Sequence, residues 1–181
     1  MNNDNEEIVL GSGDFYATEY SNTIPDDATI EVDANNFGHT KGGASIEYKP
    51  TVYEATDDSN KVLKRIITKE ECTLKCGTMS INFTNIAKMA PSTLSDDNTK
   101  HEKVLKIGGK TTLDNYLLRF VHTKDDDTKL RVTMIGNATS GFTFQFNPDK
   151  ETTLEPTFSA LSQDDGTLIE FRDGYVAAAT N

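Results

Sequence analysis

Alternation of apolar and polar residues with a period of two runs through much of this 181-residue chain, the pattern of strands covered on one face. Ala44-Ser45-Ile46-Glu47-Tyr48-Lys49 is the clearest run. It is expected to end near Pro50, with 51–54 extending it as an edge, because proline cannot donate to a ladder. Thr56-Asp57-Asp58-Ser59-Asn60 reads as a turn and 61–68, rich in Val and Ile, as the returning strand, giving a long hairpin over 50–68. Alternation resumes in Glu71-Cys72-Thr73-Leu74-Lys75-Cys76, with a bulge or strand end expected at Gly77. Strands over 115–121 and 129–135 flank the acidic turn 123–128 as a second hairpin. Phe142, Phe144 and Phe146 share one face of another strand, and shorter strands are expected at 15–20, 29–32, 104–107, 156–161 and 168–171.

One helix is predicted, over 82–90. Phe83, Ile86, Ala87 and Ala90 recur at helical spacing, Asn82 or Thr84 serves as N-cap, and Pro91 stops it. The Ser, Thr, Asp and Asn of 91–100 read as a surface loop. The ends, 1–14 and 174–181, are polar and unpatterned, either frayed termini or partner-binding arms; fully extended, the first fourteen residues span about 45 Å. The expected fold is mainly β: a single domain over 1–181, a small β-sandwich or barrel with one short flanking α-helix, a long β-hairpin and extended N- and C-terminal arms.

Only 35% of residues are apolar, but nine Phe and six Tyr can still build a core. No window approaches the roughly 18 apolar residues of a membrane helix, and the opening Met1-Asn2-Asn3-Asp4 lacks the pattern of a signal peptide. A soluble protein made inside a cell, with no membrane partner, is expected. Eighteen basic against 29 acidic residues give a net charge of −11, which argues against tight phosphate-backbone binding. The charge is segregated: residues 1–60 hold 13 acids and 2 bases, 61–110 hold 5 and 10, and 111–181 hold 11 and 6. Unlike surfaces of two copies would attract, although solvated faces and turns account for the same numbers.

Sites of chemistry are scarce. On a strand, Cys72 and Cys76 stand about 13 Å apart, which favours buried thiols over a disulfide or a shared metal. His39, His101 and His122 fall in separate elements with no ligand spacing around them. Gly108-Gly109-Lys110-Thr111 resembles the end of a phosphate loop but has Val104 where the first glycine belongs, so it reads as a strand-ending turn. Asp125-Asp126-Asp127 lacks the spacing of a calcium loop. No enzyme and no cofactor is expected.

Two glycine-punctuated segments carry a family resemblance. Gly11-Ser12-Gly13-Asp14-Phe15-Tyr16-Ala17 and, more strongly, Phe37-Gly38-His39-Thr40-Lys41-Gly42-Gly43-Ala44-Ser45-Ile46-Glu47-Tyr48 resemble the opening strand and the pre-hairpin segment of phage major tail tube proteins of non-contractile tails. The order of elements continues that likeness to Leu154–Leu161 and Leu168–Asp173. The resemblance implies hexameric rings stacked into a tube through which the genome leaves the virion, with synthesis in the bacterial host cytoplasm. It implies that the long hairpin and both termini touch neighbouring copies, which makes Tyr53, Asp57, Asp58, Lys61, Lys64 and Arg65 inter-subunit candidates. A tape measure protein, a tail terminator and distal tail or baseplate proteins would be further partners.

A bore that passes double-stranded DNA without specific binding must not present unpaired rows of Lys or Arg. Ser45, Glu47 and Lys49, with Glu71, Thr73 and Lys75, lie opposite the apolar residues of their strands and are the lumen-facing candidates; an outside face is equally open to them. Arg119 and Arg131, if they line the bore, are expected to pair with Asp114 or Glu47. The alternative function is a soluble β-barrel ligand- or carbohydrate-binding module, although the sequence has no Trp for a sugar platform.

Overall fold

A computed structural model describes residues 13–38, 40–79, 82–144 and 152–175. The chain is mainly β. In order it forms β1 (Asp14–Glu19), α1 (Asp27–Ile30), a 3-10 turn (Asp33–Asn35), β2 (Thr40–Thr56), β3 (Val62–Thr78), α2 (Phe83–Ala87), β4 (Ser92–Asp97), β5 (Glu102–Ile107), β6 (Tyr116–Thr123), β7 (Lys129–Ala138), β8 (Thr157–Ala160) and β9 (Ile169–Asp173). Seven strands make one antiparallel sheet in the order β1-β6-β7-β8-β3-β2, with β9 also pairing β7; β4 and β5 make a separate ribbon.

The sheet folds over itself as a small sandwich because alternate residues of its two halves need one shared apolar interior. Phe15 and Ala17 of β1, Leu118 of β6 and Met134 of β7 meet Leu74 and Cys76 of β3 and Phe158 of β8, all essentially without exposure. Phe15, Phe37 and Phe158 pack ring to ring at centroid distances of 5.2 to 6.3 Å. Ile86 of α2 and the following Met89 cover an open side. The Asn82 side chain caps α2 by accepting from the Thr84 amide at 2.9 Å. Phe83 stays 40% exposed, and Met89 supplies the contact that the helical spacing had given to Phe83.

Several expectations are corrected. The strand expected at 29–32 is replaced by α1, because Asp26 accepts from the Thr29 amide at 2.9 Å as N-cap and Ile30 is buried; four residues are too few to display a helical period. The chain therefore has a second short helix. The loop expected at 91–100 is largely β4, whose polar sequence hides a strand that buries Ser92 and half-buries Leu94 on one face, with Leu105 of β5 packed against the core. The hairpin expected over 50–68 is far longer, since β2 and β3 are each 17 residues and stay paired from Thr40↔Thr78 to Thr56↔Val62. Pro50 sits inside β2, tolerated because β2 is the edge of the sheet. The irregularity expected at Gly77 falls opposite it, between Thr40 and Ala44. Residues 141–144 are not a strand, although Phe142 and Phe144 pack on the core; Phe146 lies outside the described residues. Most of both expected arms, 1–12 and 176–181, also lies outside them, while Gly13 and Asp14 already belong to the body.

Gly136 marks a close strand approach. A Cβ built there would stand 2.4 Å from the Ser159 carbonyl oxygen of β8, where β7 pairs with β8. Gly136→Ala is expected to lower stability by about 1–3 kcal/mol, read as a fall in the urea midpoint, whereas an unchanged midpoint would show that β8 yields freely.

Candidate functional site

The register of β2 on β3 brings all six lumen candidates onto one face. Ser45 pairs with Lys75, Glu47 with Thr73 and Lys49 with Glu71, and directly opposed residues share a side of the sheet. The other side carries Ile46 with Leu74 and Tyr48 with Cys72, where Leu74 and Cys72 enter the core. Burial of one face thus fixes the polar identity of the other.

That polar face is a ladder of alternating charge. Lys49 Nζ lies 2.8 Å from Glu47 Oε1, and Lys69 pairs with Glu71. The hydrogen bond from Lys49 holds the Glu47 carboxyl below its ordinary value, with Lys75 adding to the effect, and the Lys69 hydrogen bond does the same for Glu71. Glu47 in turn raises Lys49. A groove runs along this face, lined by Glu47, Lys49, Glu71 and Thr73 together with Ser159 and Ala160 of β8.

Beyond Pro50 and Glu70 the ribbon leaves the sandwich. From Thr51 to Glu71 every residue but the half-buried Ala55 and Asp57 is exposed, and bulges between Thr51 and Val52 and between Ala55 and Thr56 re-aim the two strands. Its tip is a turn built by Asp57, whose carboxylate accepts from the Ser59 and Lys61 amides at 3.0 and 2.9 Å. Asp57, an inter-subunit candidate, is thereby committed to the turn. Arg65 is held by Glu54 at 2.6 Å, while Asp58, Lys61, Lys64 and the 60%-exposed Tyr53 stand on the surface. Sequence reasoning overlooked the apolar residues between them: Val52, Leu63, Ile66 and Ile67 are each 42 to 65% exposed. Their Val and Ile content marked a strand; the absence of a covering layer was not written locally.

Arg119 and Arg131 do not pair with Asp114 or Glu47. Arg119, 1% exposed, donates to Asp27 at 2.7 Å, and Arg131 donates to Glu31 at 2.5 Å. Lys129 reaches Glu31 at 3.0 Å and Arg172 pairs with Asp27. Asp114 instead takes Lys110 at 3.1 Å. The strap carrying α1 thus lies across β6, β7 and β9, fastened by two carboxylates to four cations, with Ile30 packed on Leu117 and Ile135 beside the charges. Nothing local could reveal it: Asp27 and Glu31 lie 88 to 145 residues from their Arg partners.

Cys72 and Cys76 are free and buried, and burial pushes the Cys76 thiol up to about 12. Such thiols are packing, not nucleophiles. Among the described residues no group of three or more His, Cys, Asp and Glu is arranged to hold a metal ion, and no helix is long and apolar enough to cross a membrane. Compared with protein-family models and with curated proteins, the chain matches none.

The strap gives a signed pH dependence. The Arg172 hydrogen bond, with Arg119 beside it, holds the Asp27 carboxyl at about 2 despite its partial burial. Burial raises the Glu31 carboxyl, but Arg131 and Lys129 outweigh it and it ends low. Depressed carboxylates stabilise the fold above their unfolded values near pH 4. The contribution of Asp27 is therefore complete at neutral pH and lost as pH falls from about 4 towards 2. Glu31→Gln, which leaves Arg131 and Lys129 short of a counter-charge, is expected to cost about 1–3 kcal/mol at pH 7 and to flatten the acid limb of a stability–pH profile; a parallel limb would remove Glu31 from the lock.

Proposed function

We propose that this chain is a self-assembling structural subunit of a phage tail tube, in which copies close into rings, rings stack, and the polar face of β2 and β3 lines a bore for double-stranded DNA. The observation that carries the reading is the distal ribbon. A two-stranded hairpin standing alone is marginally stable in water, and this one exposes Tyr53 with Ile66 on one face and Val52 with Ile67 on the other. Apolar side chains left exposed on both faces of a projecting ribbon favour an association site.

The polar face supports the lumen assignment by its balance. Lys49 is matched by Glu47 and Lys69 by Glu71 within each subunit, so a ring of such faces offers DNA few unpaired cations to grip. The Arg residues that endangered this reading are spent on Asp27 and Glu31. The interior of the sandwich, where a lipocalin-like module would hold a ligand, is filled by Phe15, Phe37 and Phe158. A place in the virion, with tape measure, terminator and distal tail proteins as neighbours, belongs to the same proposal.

The test is assembly and passage. Raising the concentration of the purified chain is expected to give growing light scattering and hollow tubes in negative stain; a strictly monomeric solution, also in the presence of tail initiator proteins, would overturn the reading. Glu47→Lys is expected to leave tubes intact but slow DNA ejection, since it adds a cation and frees Lys49 in every subunit. Ejection at the normal rate would take Glu47 off the bore.

A further inference from the structure

The strap lock holds more donors than its carboxylates can serve. Asp27 Oδ1 takes both Arg119 and Arg172, and Asp27 Oδ2 faces Arg131 at 3.3 Å. Glu31 Oε1 takes Arg131 at 2.5 Å and Arg119 at 3.4 Å, while Glu31 Oε2 takes Lys129 at 3.0 Å and Arg131 at 3.3 Å. Two polar atoms are left over. Arg119 Nε and Thr133 Oγ1 are buried without a hydrogen-bond partner among the described residues, in residues only 1 and 3% exposed. A buried polar group left unmet carries its full desolvation cost, so folding favours an acceptor at both.

The two atoms belong to one place. Arg119 and Thr133 are directly opposed on β6 and β7, so both side chains rise from the same face of the sheet, the face that α1 covers with Asp27 and Ile30. Tyr16 of β1 and Glu170 of β9 complete that row. Glu170 turns to Arg172, at 3.4 Å, and leaves the Thr133 hydroxyl unmet. The next pair along the same face, Leu117 with Ile135, packs on Ile30, an apolar flank beside which a bond to a charged acceptor is stronger than in water.

We propose that Arg119 and Thr133 form a binding site for one small monovalent anion, a halide such as chloride, held beneath the strap by the Arg119 Nε–H and the Thr133 hydroxyl. An anion meets the shortage better than a water molecule. A water that accepted both donors would have to place its own two protons, and the Asp27 and Glu31 oxygens are already engaged; a halide only accepts. The charges agree. The ion pairs of the lock join four cations, Arg119, Lys129, Arg131 and Arg172, to three carboxylates, Asp27, Glu31 and Glu170, and one further negative charge balances them. Because neither atom is open to solvent, the site selects a small ion. The inference is independent of assembly.

Anion-dependent stability of the full chain tests it. Urea denaturation is followed on dilute protein at neutral pH in sodium chloride and in sodium gluconate of equal ionic strength. An ion bound only by the folded chain is expected to raise the folding constant by up to about tenfold for each tenfold rise in chloride, with no such rise in gluconate. Thr133→Val keeps the side chain's shape and removes the hydroxyl. It is expected to be at least as stable as the wild type in gluconate, where it relieves an unmet group, and to flatten the chloride dependence. A wild-type crystal grown in bromide is expected to show an anomalous peak between Arg119 Nε and Thr133 Oγ1, a readout that stands whether or not the variant folds. Equal stability of the wild type in the two salts, which a sealed water would give, overturns the site. So does a chloride dependence that Thr133→Val retains in full, or a bromide crystal without that peak.

Discussion

The cross-strand pairing of Thr40–Thr56 with Val62–Thr78 is the constraint on which the rest of the molecule turns. Side chains alternate with a period of two, so a slip of one residue would carry Glu47, Lys49 and Glu71 into the interior and expel Leu74 and Cys72. The proximal half cannot slip, because Leu74 and Cys76 are locked among Phe15, Phe158 and Met134 and β8 bonds the outer edge of β3. The distal half inherits its register from that anchor. Two strands thus serve as core at one end and as exposed surface at the other, and the bulges between Thr51 and Val52 and between Ala55 and Thr56 mark the change.

A second constraint keeps the outer face of β6 and β7 from being a basic surface. Four cations, Arg119, Lys129, Arg131 and Arg172, converge there, and left open they would hold phosphate. The strap between β1 and β2 lays Asp27 and Glu31 over them, and Ile30 seals the apolar part of the same face. Burying Arg119 carries a desolvation cost that hydrogen-bonded carboxylates offset without great surplus. The lock therefore serves placement of the strap and masking of charge more than net stability.

Most of the sandwich was legible: β1, β5, β6, β7, β8 and β9 all fall within a few residues of where apolar runs and turn residues put them. β1 is covered on one face and alternates accordingly, whereas β6 and β7 are buried on both faces and showed as apolar runs flanking an acidic turn. What failed had no such cover or no such length. β4 covers only Ser92 and part of Leu94 on its inner face, too little apolar surface to write an alternation, and α1 is a single turn whose one sign is the Asp26 cap. The polar residues of the candidate wall were legible as a set, since alternation names two faces, and their direct opposition across β2 and β3 followed from pairing alone. The partners of Arg119 were not, because an ion pair spanning about ninety residues is a product of topology. The bare apolar surface of the ribbon was equally silent: Val and Ile announce a strand whether or not another layer lies over it.

If the chain assembles as proposed, the magnitude of that exposed surface bears on how. Leu63, Ile66 and Ile67 are already about half covered, so burying what remains of each gives on the order of 1 kcal/mol apiece. Bringing two free subunits together costs about 4–15 kcal/mol in lost freedom. One ribbon contact between two copies is therefore weak, and an isolated pair should not accumulate. In the proposed tube a subunit would meet lateral neighbours and the ring beneath it at once, so that cost would arise once for several contacts, the later ones forming at high effective concentration. The net negative charge, which keeps free chains apart, sharpens the difference between a lone encounter and a growing end. On these terms the proposed stack would elongate from a template more readily than it begins, so that tubes of the purified chain would form only above a threshold concentration.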